Sequence, residues 1–252
     1  KFAHCSGYMR EDNMSTYFGK VYQARYLAGI VAGMKTQKNY IGYVAAKGIP
    51  EVIRGINAFT LGVQSVNPDA KVEVVFTDTW LLNKGVDIIA QHQDTTAPQV
   101  AAEEKGAYCI GYNFPTSDAA PKAYLTAACF DWKTFYTDDV QKAIDGTWTS
   151  RAYWEGLAAN MTYLDKLTDL CAEGTQEKVD AAKKAIIDGT LEPFTGPLYD
   201  QDGNKKVDDG VKMTDDEIWN MNWFVKGLTR TIPAYSTAHR ILSLFKPIRP
   251  VL

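Results

Sequence analysis

Six aromatic and polar side chains stand where they can bind a flat ligand with a hydrogen-bonding edge: Glu51, Trp80, Asp94, Asn113, Asp131 and Trp132. An indole ring can stack on the face of a heterocycle, while carboxylate and amide groups pair with the donors and acceptors of its edge. Residues of these types, at or near the ends of apolar runs of strand length, predict a cleft that binds a small molecule.

Three of these residues also have a structural interpretation. Trp80 can pack in the core or at an internal interface. Asp94 can cap the next helix together with Thr95 and Thr96, and Asn113 can form a turn. Both interpretations stay open at all three positions.

The other three candidates have alternatives as well. Glu51 can reach a ligand, or it can complement the dipole of the helix that Pro50 begins. Asp131 and Trp132 can contact a ligand or form a hinge. His92 is interpreted as a structural histidine, because isolated histidines are more often packed than functional.

The sequence contains no arrangement that specifies catalysis. Carboxylates such as Asp94 and Asp118 have no fixed spacing, and Gly42 and Gly48 do not form a phosphate-binding G-x-G-x-x-G loop. No nucleophile elbow and no H-E-x-x-H motif occur. We therefore predict no enzymatic activity, no cofactor and no metal.

Four cysteines lack the C-x-x-C spacing of a zinc site: Cys5, Cys109, Cys129 and Cys171. They are either buried apolar residues or members of one or two disulfides, and the sequence leaves both alternatives open.

Composition limits the class of protein. The 252 residues carry a formal net charge of −3, and Lys and Arg are not clustered, which argues against nucleic acid as a partner. No apolar run reaches the length of a membrane span. Aromatic residues make up 12% of the chain, and most of them are expected to pack the core.

In the first half, apolar runs of strand length alternate with helical patterns. The predicted helices and strands cover residues 17–34 (helix), 39–46 (strand), 52–66 (helix), 71–77 (strand), 86–91 (strand), 96–105 (helix) and 108–112 (strand). Strands without polar alternation indicate a sheet buried on both faces, so the fold class is α/β. In such open sheets ligands bind beyond the carboxyl ends of the strands.

One connection is short for this architecture. Only eight residues separate the strand ending at Thr77 from the one beginning at Val86. A crossover between parallel neighbours needs a dozen or more residues. Either these strands are not neighbours, or a crossover helix is absent.

The second half has a different pattern. The sequence predicts helices at 138–145, 175–187 and 218–227, a strand at 158–164, and a hairpin turn at 199–204. Thr214 and Glu217 have the spacing of a capping box before the last helix.

Long, ordered stretches of the chain resemble the basic-membrane-protein family of ABC substrate-binding lipoproteins. These stretches cover residues 40–59, 62–70, 89–98, 120–126, 146–148, 193–197 and 221–225. Two of the motifs, Ile49-Pro50-Glu51-Val52 and Gln91-His92-Gln93-Asp94, look like those of the purine-binding branch.

The resemblance implies a type I periplasmic-binding-protein fold, in which two α/β lobes close over a ligand. It also implies the function of an extracytoplasmic binding protein, periplasmic or anchored by lipid in its full-length form. Such a protein would capture a purine base or nucleoside, such as adenine or adenosine, and deliver it to ABC permease subunits. The alternatives are a ligand sensor with the same fold and a truncated remnant that binds nothing.

The resemblance also divides the chain. Residues 1–36 correspond to a remnant of the first lobe with its crossover, 37–130 to the second lobe, 131–233 to a return to the first lobe, and 234–252 to an atypical tail. Family members begin with a signal peptide, a lipid-bearing cysteine and further strands, and they carry a helix after the tryptophan equivalent to Trp80. This sequence departs from both features, so we expect a truncated first lobe.

Overall fold

The computed structural model describes residues 1–76 and 80–229, apart from the side chains of Trp80 and Asn83. The tail predicted at 234–252 lies outside these residues.

The described chain alternates strands and helices along most of its length. Its strands are β1 (Phe2–Cys5), β2 (Met14–Gly19), β3 (Tyr40–Ala45), β4 (Lys71–Phe76), β5 (Ile88–His92), β6 (Tyr108–Asn113), β7 (Tyr124–Phe130), β8 (Ala152–Glu155), β9 (Thr162–Leu164), β10 (Leu198–Tyr199), β11 (Lys205–Val207) and β12 (Leu228–Thr229). Its α-helices are α1 (Val21–Lys35), α2 (Pro50–Val66), α3 (Ala97–Glu104), α4 (Trp132–Ile144), α5 (Thr175–Ile187) and α6 (Asp215–Trp219).

Two separate sheets organise these strands. The larger has the order β12-β4-β3-β5-β6-β7-β9, and its pairs are parallel except for the antiparallel pair β7–β9. The smaller has the parallel order β1-β2-β8. Strands β10 and β11 form a separate antiparallel hairpin. The parallel larger sheet, with helices in its connections, confirms the predicted α/β class.

Strand order explains the short connection after β4. β3 pairs with β4 on one side and with β5 on the other, so β4 and β5 are not neighbours. The connection contains a short 3-10 helix, Trp80–Lys84, whose Leu81 is fully buried. A Cβ atom on Gly42 would lie 2.9 Å from Leu81 Cδ1, so this 3-10 helix packs directly on β3.

Helices α1 and α2 pack against each other over one face of the larger sheet and share its apolar core. Their backbones touch, because a Cβ atom on Gly29 would overlap the carbonyl oxygen of Phe59, and one on Gly62 would overlap that of Tyr26. Only glycine permits so close an approach between two helices. This contact fixes α2 relative to α1, and with it the start of α2 near the carboxyl ends of the strands.

The chain passes between the two sheets at several places. It leaves β2 of the smaller sheet through α1 to reach β3 of the larger one, and it returns from β7 through α4 to β8. A further connection leads from β8 back to β9. The two sheets meet near the carboxyl ends of β2 and β7, where the rings of Phe18 and Phe130 lie 5.3 Å apart.

Several predicted boundaries are wrong. The helix expected at 17–34 begins only at Val21, because the preceding residues form β2. The strand expected at 158–164 is a 3-10 turn followed by β9, and the helix expected at 218–227 ends at Trp219. The helix expected at 138–145 starts earlier, at Trp132.

Three predictions for the second half of the chain are confirmed. Helix α5 has the predicted bounds, β10 and β11 form the hairpin, and Thr214 with Glu217 makes both hydrogen bonds of a capping box.

All four cysteines are free thiols. In the described ranges no helix has the length and apolar character needed to cross a bilayer.

Candidate functional site

A cleft of about 380 Å³ opens at the carboxyl ends of β5 and β6. The loop after β5 contributes Asp94, and the end of β6 contributes Asn113. Other residues of the wall are Gln91, Tyr112, Phe114 and Thr116. Both strands run parallel in the sheet, so their ends bring these side chains to one edge.

Tyr112 lies at the centre of this region. Its ring centroid is 4.2 Å from that of His92, and the Arg25 guanidinium lies 4.4 Å from the ring centroid. Burial raises the pKa of Tyr112 far above its usual range, and the charges of Glu51 and Asp94 raise it further. Glu51 and Asp94 thus act on the same phenol from different elements.

Glu51 lies in the first turn of α2, after Pro50 at the start of the helix. Its Oε1 is 3.6 Å from Nε2 of His92, and its side chain is 22% exposed. Burial alone would raise the pKa of Glu51, but contact with His92 and the charges of Arg54 and Arg25 outweigh it and lower the pKa. Glu51 is therefore a carboxylate at neutral pH.

His92 ends β5 and is 5% exposed. Burial lowers its pKa to about 4, and the neighbouring Arg25 lowers it further, against the opposing effect of Glu51. The imidazole is neutral at pH 7. Its Nδ1 faces Gly55 of α2 and has no hydrogen-bond partner among the described residues, so the ring proton belongs on Nε2, toward Glu51.

Arg25 is a fully buried cation beneath the cleft, contributed by α1. Its Nη1 donates to the backbone oxygen of Gln91 at 2.6 Å. Its Nε and Nη2 have no hydrogen-bond partner in the part of the chain that the structure describes. The guanidinium is held mainly by this one hydrogen bond and by the ring of Tyr112.

Arg54 connects α2 to the smaller sheet. Its guanidinium lies 5.3 Å from the ring of Trp154 in β8 and 4.9 Å from the ring of Trp219 in α6. Nη1 donates to the Trp219 backbone oxygen at 3.3 Å. Burial lowers the pKa of Arg54 to about 10, which leaves it protonated at neutral pH.

A second hollow, of about 470 Å³, borders the smaller sheet. Its wall includes Phe18, Trp154 and Trp219. These residues form one apolar cluster with Tyr112, Phe130 and Trp132. The aromatic cluster therefore extends from the first cleft to the second hollow.

The structure brings two of the six predicted residues, Asp94 and Asn113, to the wall of one cleft. Glu51 does not line this cleft and lies behind it, in contact with His92, whose ring packs on Tyr112. Trp132 joins them indirectly, because it stacks on Phe130 at 4.6 Å and Phe130 contacts Tyr112. Contact of these residues with a ligand stays a prediction.

A further predicted residue, Asp131, has a capping role. Asp131 is the N-cap of α4, where its Oδ1 accepts a hydrogen bond from the Lys133 amide at 3.1 Å. The side chain of Trp80 lies outside the described part of the structure.

The structural alternatives for Asp94 and Asn113 are settled in opposite ways. The side-chain oxygen that accepts from the Ala97 amide, at 3.2 Å, belongs to Thr95 and not to Asp94. Asn113 has a left-handed backbone with φ of 75°, so its turn role is real. Asp94 is exposed and accepts no hydrogen bond from the helix backbone, which leaves its carboxylate accessible.

Comparison with known proteins decides the family. Residues 1–192 match the Bmp family, described as ABC transporter substrate-binding protein, PnrA-like. The chain belongs to this family. It is 35% identical, over 245 residues, to a purine-binding protein of Brucella abortus (strain 2308), and the match covers 92% of the chain and 70% of that protein.

A second relative is a Haloferax volcanii protein whose name describes it as an ABC transporter glucose-binding protein. It is 33% identical, and the match covers 92% of the chain and 60% of that protein. Among solved structures, a solute-binding protein of an ABC transporter from Aeropyrum pernix K1 superposes with a TM-score of 0.65 at 19% identity, covering 76% of this chain and 70% of that one. The type I periplasmic-binding-protein fold is confirmed.

Sequence reasoning missed the two buried arginines of this Bmp-family chain. Arginines are mostly exposed in folded proteins, so neither Arg25 in α1 nor Arg54 in α2 was singled out. The one available signal was the apolar residues on both sides of Arg25, which leave little room for a solvated face. His92 was assigned a structural role, and its burial agrees with that assignment.

The arrangement can bind and orient a small molecule. It offers an accessible carboxylate at Asp94, an amide at Asn113 and aromatic rings at Tyr112 and Phe114. Among the described residues, no group of three or more His, Cys, Asp or Glu side chains is placed to hold a metal ion.

Proposed function

We propose that this chain binds a purine nucleobase or nucleoside in the cleft between β5 and β6 and delivers it to the permease of an ABC importer. The protein would act outside the cytoplasm, in the periplasm or as a lipid-anchored protein in its full-length form. It would catalyse no reaction, because its proposed role is to bind the ligand, close over it and dock on the permease.

The observation that carries this proposal is that Asp94 and Asn113 lie on the wall of one cleft together with the rings of Tyr112 and Phe114. A purine needs an aromatic wall and a few fixed polar groups at its edge. The cleft volume of about 380 Å³ suits a ligand of that size. The relative named as purine-binding supports the ligand class, and the one named as glucose-binding defines the competing ligand.

Isothermal titration calorimetry with adenine, adenosine, guanosine, riboflavin and glucose tests the proposal. We expect one purine to bind tightly and glucose not to bind. Asp94→Ala should weaken that purine about tenfold or more, because a charge-assisted hydrogen bond is lost. Asp69→Ala, another exposed carboxylate at a loop far from the cleft, is the matched control and should leave the affinity unchanged.

Two results would contradict the proposal. Tight binding of glucose alone would assign the cleft to a sugar. Absence of binding to all five compounds, in a sample with a cooperative melting transition, would favour the non-binding remnant. If a purine binds, uptake measured in membrane vesicles that hold the cognate permease separates a transport role from a sensor role.

A further inference from the structure

Within the described residues, three segments connect the two sheets, and hydrogen bonds join them. The first crossing is Lys20, between β2 and α1, the second is Asp131, between β7 and α4, and the third covers residues 156–161, between β8 and β9. The Lys20 amide donates to the Glu155 backbone oxygen at 2.7 Å, just before the third crossing. The Asp131 amide donates to the Met161 backbone oxygen at 2.9 Å, at its end. The third crossing is therefore held between the other two.

The third crossing packs into both parts of the molecule. Leu157 is 2% exposed and belongs to the apolar core that α1 and α2 share with the larger sheet. Met161 is fully buried and packs with Tyr17 of β2 and Phe135 of α4. Asn160, with a left-handed backbone at φ of 54°, lies between these two contacts. Rotation of one sheet relative to the other would therefore act on this short segment.

One side chain of α1 fastens the third crossing. Gln23 lies in the first turn of α1, and its Oε1 accepts a hydrogen bond from the Leu157 amide at 2.9 Å. A Cβ atom on Gly156 would overlap this same oxygen, so the Gln23 side chain occupies the space that a larger residue at 156 would need. Glycine at this position permits the carboxamide to lie directly on the backbone of the third crossing.

We propose that Gln23 is a positioning residue that holds the third crossing against α1 and thereby fixes the relative orientation of the two sheets. This inference rests on the proposed function, since a binding protein closes by movement at such connections. One hydrogen bond of this kind changes a local opening equilibrium by about fivefold, which is enough to shift the balance between two orientations. Loss of the bond loosens all three crossings and leaves the interiors of the sheets unchanged.

Amide hydrogen exchange of the ligand-free protein, resolved by NMR, tests this inference. Gln23→Met keeps most of the side-chain volume but removes the acceptor. We expect the amides of Leu157, Lys20 and Asp131 to exchange about fivefold faster or more, while those of β3 and β5 keep their rates. The amides of Lys20 and Asp131 donate to other residues, so a purely local role of Gln23 would accelerate Leu157 alone.

Gln64→Met is the matched control. Gln64 also donates a side chain–backbone hydrogen bond, from its Nε2 to the Lys226 oxygen at 2.9 Å, and it also lies against a glycine, Gly227, but near the end of α2. This variant should leave the exchange rates of the crossings unchanged. Unaltered exchange at Lys20 and Asp131 in Gln23→Met, or acceleration throughout the fold, overturns the inference.

A double-mutant cycle with Gly156→Ala tests the packing of Gln23 on the third crossing. In the wild-type background the new Cβ atom would overlap Gln23 Oε1, whereas the next neighbour, Cβ of Lys20, lies at 3.1 Å. The effect of Gly156→Ala on the folding equilibrium constant, measured by urea denaturation, should be about tenfold smaller in the Gln23→Ala background. Equal effects in both backgrounds would contradict the inference.

Adenine serves as the probe of the binding step, followed by stopped-flow tryptophan fluorescence. Gln23→Met should release adenine about fivefold faster or more, with a smaller change in the association rate. An unchanged dissociation rate overturns the inference and leaves the proposed function standing. If the wild-type protein binds no purine, the proposed function fails, and the exchange rates alone decide whether Gln23 holds the crossings.

Discussion

Nε2 of His92 lies 3.6 Å from Oε1 of Glu51, across the first turn of α2. The histidine is buried and neutral, while the carboxylate beside it is ionised. This pair joins β5 to α2 directly beneath the candidate cleft, so its protonation state affects both stability and the charge that a ligand meets.

Protonation of His92 should make stability depend on pH. Its pKa is about 4 in the folded protein and 6.5 for a free histidine, so below pH 6.5 the unfolded chain binds a proton that the folded chain does not. Stability is therefore fully present above about pH 6.5 and decreases as pH falls from there toward 4. We expect this one group to account for a loss of about 2 kcal/mol between pH 7.5 and pH 5.

Urea unfolding of the wild-type protein and of His92→Gln at these two pH values measures the effect. The variant should lose less stability on acidification, because the titrating group is gone. Glu51, Arg25, Arg54 and Tyr112 are the charged or titratable groups that face His92, and all four remain in the variant. Equal acid sensitivity of the two proteins would contradict this prediction.

Replacement of Gly62 by Ala should destabilise the contact between α1 and α2. The new Cβ atom would overlap the Tyr26 carbonyl oxygen, which belongs to a helix backbone and cannot rotate away. We expect a loss of about 3 kcal/mol or more in the free energy of unfolding. Thermal or urea denaturation measures it.

Gly55→Ala is the matched control in the same helix. There the nearest atom, Nδ1 of His92, would lie 3.6 Å from the new Cβ, which is ordinary contact. Since Ala favours helix over Gly by up to about 1 kcal/mol, this variant should be neutral or more stable. Similar losses in both variants would show that helix crowding does not distinguish the two glycines.

The buried cation Arg25 should be replaceable by an apolar residue of similar size. Arg25→Ala leaves a cavity among Tyr112, Tyr43 and Gln91, and we expect it to cost about 3 kcal/mol. Arg25→Met fills most of that volume, so it should cost about 2 kcal/mol less than the alanine variant. Urea denaturation compares both variants with the wild type, and equal losses for Met and Ala would show that filling the volume restores nothing, so that the guanidinium itself is required.

Asp131 has a cap role that a short side chain can reproduce. Asp131→Ala removes the acceptor for the Lys133 amide and should cost about 1 kcal/mol, whereas Asp131→Ser should cost less than half of that. If capping is the whole role, adenine affinity stays unchanged in both variants. A clear loss of affinity with unchanged melting temperature would instead assign Asp131 to the ligand.

The parts of the fold that follow from local patterns were predictable, and those that depend on distant contacts were not. Helix α5 has its predicted bounds because its apolar stripe and Gly189 specify it locally. Strand β2 was missed because Lys20 is the one residue between it and α1. The apolar residues of the strand and of the helix therefore follow each other without a break, and the pattern was assigned to a single helix.

The same division holds for the site. Asp94 and Asn113 could be chosen from the sequence, since residues at the ends of parallel strands gather at one edge. The burial of Arg25 could not, because it depends on Tyr112 and Gln91, which are far away along the chain.

The edge strand β12 has a consequence for biosynthesis. Leu228 pairs with Val72 of β4, so that edge of the sheet has no partner until residue 228 has left the ribosome. Until then the nascent chain carries β4 as an open edge, which is prone to pair with other chains. The pairing of Leu228 and Thr229 with β4 therefore covers this edge only after the preceding described residues have been made.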